Sequence, residues 1–124
     1  MEKYTKLTLD ELVRRKEQML AAKKKKQTKE LYIPSLNSTI TISEPSADVV
    51  RDCMGMEDGD GDRYICLQCV IEPRLNSPKL KEEFGCEDPM DILDILFKPG
   101  EISQISAECI KLAGYGNGVK EIKN

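Results

Sequence analysis

Histidine and tryptophan are absent from the 124 residues, and aromatics amount to two Phe and four Tyr. Without histidine the commonest general acid–base side chain is missing. Also missing are a serine nucleophile elbow, a GxxxxGK phosphate loop and a GxGxxG turn after a strand. The glycines at 114, 116 and 118 follow a helical pattern instead of opening one, which places them poorly for phosphate. No catalytic residue is therefore nominated, and the chain is not expected to be an enzyme. Scarce aromatics leave the core to Leu, Ile, Val, Met and Cys. No apolar run approaches the roughly 18 residues of a membrane span. The start, MEKYTKLTLDEL, has no apolar signal-peptide centre, so a cytoplasmic location and no membrane partner are expected.

Five cysteines are present. An odd count in a chain expected to stay in a reducing compartment argues for free thiols. Cys66 and Cys69 form a lone CxxC inside a predicted helix, flanked by Ile65, Val70 and Ile71, where they read as small core residues. Recruiting Cys53 and Cys86 to a zinc site gives a spacing without a second knuckle pair and without His. The stretch at 58–62 (DGDGD) begins like an EF-hand loop, but Arg63 stands where the turn glycine belongs and Cys69 where the bidentate Glu belongs. A solvated inter-helix loop is expected there. No metal ligand and no cofactor are expected, and a cysteine-based zinc or redox module is the rival class.

Charge is unevenly spread. Residues 1–30 hold ten Lys or Arg against five Asp or Glu, a net of +5, and residues 31–124 hold nine against seventeen, a net of −8. Such a chain can self-associate head to tail or offer a basic arm to an acidic partner. Lys23, Lys24, Lys25 and Lys26 could also serve a nucleic-acid adaptor. An acidic body and the lack of an aromatic stacking platform disfavour that, so no nucleic-acid partner is expected.

Periodicity predicts an α+β, predominantly helical fold of five to six short helices with one β-hairpin near residues 29–43. Thr8, Leu9, Asp10 and Glu11 have the form of a capping box opening a helix to about Lys25. The four lysines then suit the negative end of its dipole. β-branched alternation around residues 34–38 gives the hairpin, whose two strands must pack on helices or pair with another chain. Further helices are predicted from Ser46 to Met56, Asp62 to Glu72, Ser77 to about Phe84 and Asp88 to Phe97. The last starts with Pro99 and stops at a left-handed Gly114. Residues 1–124 read as one domain, with 1–28 a basic helix able to project and 115–124 a flexible tail.

Four segments carry a family resemblance: 7–18 (LTLDELVRRKEQ), 29–46 (KELYIPSLNSTITISEPS), 62–86 (DRYICLQCVIEPRLNSPKLKEEFGC) and 95–119 (ILFKPGEISQISAECIKLAGYGNGV). In one register they resemble XkdN-like phage tail assembly chaperones, found in phage-like and prophage elements of Gram-positive bacteria. The resemblance implies a non-enzymatic role in tail morphogenesis, with the tape-measure and tail-tube proteins as partners. It further implies action in the cytoplasm of the bacterial host, absence from the mature particle, and in some members a longer frameshifted form. It transfers no functional residue. Two apolar stripes are the candidate contact surfaces: Leu9, Leu12 and Val13 on the first helix, and Ile102, Ile105 and Cys109 on the last. Either stripe has equally the spacing of an ordinary internal core.

Overall fold

The computed structural model describes residues 4–57, 59–116 and 118–122. The chain begins with helices α1 (Leu9–Arg14) and α2 (Lys16–Lys24), followed by strands β1 (Thr28–Ile33) and β2 (Ser38–Ser43). Helices α3 (Ala47–Met54) and α4 (Asp60–Cys69) lead into strand β3 (Val70–Glu72). Helices α5 (Pro78–Glu83), α6 (Asp91–Leu96) and α7 (Pro99–Leu112) complete the order. The class is α+β and mostly helical, with seven helices among the described residues where five to six were expected.

Helix ends follow the cap residues closely. The Ser46 hydroxyl accepts the Val49 amide at 3.2 Å, and the Ser77 hydroxyl accepts the Leu80 amide at 3.4 Å. Each satisfies one amide that a first helical turn leaves unpaired. Pro99 occupies the first turn of α7, and the Glu101 carboxylate accepts the Lys98 amide at 2.8 Å. At the other end Gly114 has φ 89°, donates to the Lys111 carbonyl at 2.9 Å, and is followed by Tyr115 donating to Ile110 at 3.4 Å. This pair of bonds is a Schellman stop, and its positive φ suits glycine.

Several boundaries differ from expectation. The single helix expected over 8–25 is interrupted at Arg15, whose ψ of 3° separates α1 from α2. The helix expected to run through Glu72 ends at Cys69, and Val70, Ile71 and Glu72 form β3. β-branched Val70 and Ile71 favour extended backbone, and Glu72 precedes Pro73, which disfavours helix at that position. The solvated loop expected at 58–62 is instead partly helical: Asp60, Gly61 and Asp62 form the first turn of α4, while Asp58 lies outside the described residues. Carboxylates there suit the positive end of the helix dipole. Asp88 and Pro89 precede their helix: Asp88 accepts the Met90 amide at 2.9 Å in a local turn, and α6 begins only at Asp91. The flexible tail expected at 115–124 falls partly on Asn117, Lys123 and Asn124, which lie outside the described residues.

β3 answers the hairpin's need for support. The sheet order is β1-β2-β3, all antiparallel, with Leu31 opposite Ile40 and Ile42 opposite Val70. Ile40 and Ile42 turn inward while Thr39 and Thr41 turn outward, the period of two that the sequence shows. One buried cluster joins Ile33, Ile40, Ile42 and Val70 of the sheet to Ile65, Cys66 and Cys69 of α4, Ile92 and Leu93 of α6, and Ile102, Ile105 and Cys109 of α7. α4 and α7 pack against each other at its centre.

Candidate functional site

The two candidate stripes have different positions. No residue of α1 or α2 is buried. Leu9 is 76% exposed, Val13 67% and Leu12 37%. Met19 and Leu20 on α2 are each about half exposed. Leu9, Leu12 and Val13 recur at helical spacing on α1, and Met19 and Leu20 lie beyond the Arg15 break on α2; none of the five is buried. Exposed apolar side chains are ordinary when scattered, and an uncovered apolar set is the kind of surface that a partner can bury.

The local chemistry explains why such a segment is helical without a core beneath it. The Thr8 hydroxyl accepts the Glu11 amide at 3.2 Å. The expected return bond from Glu11 to the Thr8 amide is replaced by two arginines. The Glu11 carboxylate binds Arg14 and, at 2.8 Å, Arg15. These bonds, Arg14 first, hold that carboxyl below its ordinary value. Pairs three and four residues apart of this kind support an exposed helix by a few tenths of a kcal/mol each. At the end of the arm, none of Lys23, Lys24, Lys25 and Lys26 joins an ion pair among the described residues. The Lys120 ammonium lies 5.5 Å over the Tyr4 ring, bringing the C-terminal segment against the start of the arm.

The α7 stripe is internal. Ile102, Ile105 and Cys109 are buried, with Cys109 fully so. They pack on α4, where Cys66 and Cys69 are also buried. The Cys66 thiol donates to the Ile102 carbonyl at 3.4 Å. Burial pushes the Cys66 thiol up to about 12, and the nearby Asp62 carboxylate adds to the effect. Cys109 is also raised, by its hydrogen bond to Cys69 and then by burial. The Cys66 and Cys109 thiols are thereby held protonated, whereas Cys69 is lowered as the acceptor of the Cys109 hydrogen bond. Among the described residues, no group of three His, Cys, Asp or Glu is arranged to hold a metal ion.

The exposed side of α7 is tied to the hairpin by polar bonds. The Glu101 carboxylate accepts from the Ser35 hydroxyl at 2.8 Å as well as from the Lys98 amide, and these bonds lower its pKa, the amide most. The Glu108 carboxylate pairs with Lys29 of β1 at 2.6 Å and with Lys111 at 3.4 Å, and is lowered chiefly by Lys29. The helix therefore has one face in the core and one edge stitched to β1. It offers a partner little that is apolar.

One feature escaped the sequence reasoning. Residues 82–97 contain six Asp or Glu and no Lys or Arg. Phe84 and Ile95 within that stretch are about half exposed. The signal was present in the sequence as a cation-free stretch.

A family model described as phage XkdN-like tail assembly chaperone protein matches residues 7–124. No curated protein and no solved structure matches the chain.

Proposed function

Because the chain belongs to the phage XkdN-like tail assembly chaperones, we propose that it binds the tape-measure protein during tail morphogenesis and keeps it soluble, without catalysis, through the apolar stripe of α1. The observation that carries this reading is the exposure of Leu9, Leu12 and Val13 on a capped helix with no buried residue. A tape-measure protein offers long helices whose apolar stripes are uncovered before the tube surrounds them. An amphipathic helix covers such a stripe by matching its spacing. The complex then passes its client to tail-tube subunits in the cytoplasm of the bacterial host, and the chaperone is left out of the finished particle. Ile102, Ile105 and Cys109 take no direct part, since reaching them requires opening the core.

Covering three partly exposed aliphatic side chains is worth on the order of 3–6 kcal/mol. The freedom lost on association is of similar size or larger. One copy alone therefore binds weakly, and many copies along one long client are needed. The test is co-expression with the neighbouring tape-measure protein. The client is expected in the soluble fraction with the wild-type chain. It is expected to aggregate with a Leu9→Gln, Leu12→Gln, Val13→Gln variant. Equal aggregation of the client with and without the wild-type chain would sink the reading.

A further inference from the structure

Three thiols meet where α4 packs on α7: Cys66 and Cys69 from the first helix, Cys109 from the second. Buried free cysteines commonly serve as small hydrophobes, but hydrogen bonds set two of these apart as a pair. The Cys66 thiol donates to the Ile102 carbonyl at 3.4 Å. The Cys109 thiol donates to the Cys69 sulfur, so those two sulfurs are in contact across the helix interface. Cys69 also differs in position. It closes α4 and is 3% exposed, where Cys66 and Cys109 are 0% exposed. The charge of Lys26, on the connection between α2 and β1, favours its thiolate, as does the bond from Cys109. Cys69 thus stands at the rim of the core, with a cation outside it and a second thiol behind it.

We infer that Cys69 and Cys109 are a peroxide-reactive dithiol, which closes to a disulfide between α4 and α7. Hydrogen peroxide suits the site because it is little larger than water and needs only a narrow approach. The Cys69 thiolate, its proton passed to water, attacks one peroxide oxygen. The O–O bond breaks, the hydroxide released takes up a proton as water, and Cys69 is left as the sulfenic acid. The Cys109 sulfur then attacks the Cys69 sulfur, the S–O bond breaks, and the departing hydroxide takes the Cys109 proton as a second water. Two thiols and one peroxide thus give one disulfide and two waters: the sulfurs lose two electrons and the peroxide oxygens gain them. A resolving thiol already in contact stops Cys69 short of the irreversible sulfinic acid. In a reducing compartment the pair returns to thiols once peroxide is gone. While it lasts, the bond encloses β3, α5 and α6 in one covalent loop, which restricts the unfolded chain. The α1 stripe is untouched, and the inference does not depend on what that stripe binds.

Peptide mapping by mass spectrometry tests it on the full chain, purified in dithiothreitol, freed of it and treated with hydrogen peroxide. The expected product is a linked pair of peptides holding Cys69 and Cys109, about 2 Da lighter than their thiol forms together. Dithiothreitol should separate them again. The melting temperature of the oxidised chain should rise by on the order of 10 °C. A Cys53→Ser, Cys86→Ser variant, changed at the two half-buried thiols, should form the same link at the same rate. Cys109→Ala should instead leave Cys69 as a sulfenic acid that dimedone captures. If that variant does not fold, the map of the unsubstituted chain decides. Thiols that react with peroxide only after urea has unfolded the chain overturn the inference. So does a link from Cys69 to Cys66, Cys53 or Cys86 in place of Cys109. A melting temperature that falls on oxidation shows that the core cannot hold the bond, and overturns it too.

Discussion

At the residue scale, Gly61 decides how closely α3 and α4 approach. A Cβ built on Gly61 would lie 2.9 Å from the Cys53 carbonyl oxygen and 3.0 Å from its sulfur. Alanine gains up to about 1 kcal/mol in helix propensity, but overpacking against a backbone carbonyl costs roughly 1–3 kcal/mol. The clash wins, so Gly61→Ala is expected to lower the urea midpoint, whereas Gly100→Ala, with no atom within 4 Å of its added methyl, should raise it. Equal effects from both changes would show that α3 yields freely at this contact. Ser106 is buried, and its hydroxyl has no partner. A helical serine often bonds the carbonyl four residues back, but here the Ile102 carbonyl receives the Cys66 thiol. Ser106→Ala therefore removes an unsatisfied group and should leave stability unchanged or raise it by up to about 1 kcal/mol. A loss of more than that in urea unfolding would mean that the hydroxyl does have a partner.

At the element scale, α1–α2 and α7 show how one pattern serves two purposes. Both carry apolar residues three and four apart, yet α7 covers α4 and the sheet while no residue of α1 is buried. Replacing Leu9, Leu12 and Val13 by glutamine should therefore move the melting temperature by no more than about 2 °C. Ile105→Ala, by contrast, opens a cavity worth roughly 2–5 kcal/mol. A large drop in melting temperature for the α1 variant would mean that its stripe packs against the body in solution. β3 is the other instructive element. Three residues ahead of Pro73 leave a helix to complete the sheet, converting a marginal hairpin into a three-stranded sheet with β2 at its centre.

At the scale of the whole molecule, the seam between the hairpin and α7 depends on carboxylates. Glu101 and Glu108 both have pKa values below their ordinary 4.5 in the folded protein. A carboxyl lowered by folding contributes stability that is fully present above its unfolded value and lost as pH falls through its folded value. Stability is thus expected to decline below about pH 4.5, with Glu101 and Glu108 among the causes. A Glu101→Gln, Glu108→Gln variant should have a shallower dependence over that window in urea unfolding at stepped pH. Parallel curves for the two proteins would remove the seam from the explanation. Both groups are exposed, so the effect is one of slope and not of overall fold.

Periodicity and caps by themselves determined most of the local structure. Ser46, Ser77, Pro99 and Gly114 end or begin helices where their chemistry requires, because capping and left-handed backbone are decided within a few residues. The hairpin was legible for the same reason, since alternation and turn composition are local signals. Distant contacts decided the rest. β3 is a strand because β2 offers an open edge to residues that could have continued a helix, and Gly61 matters only because α3 lies against it. Above all, the amino-acid pattern makes Leu9, Leu12 and Val13 equivalent to Ile102, Ile105 and Cys109, because amphipathic spacing records that a face is apolar and not what covers it. Only the tertiary structure separates them: α4 and the sheet cover α7, and nothing among the described residues buries α1.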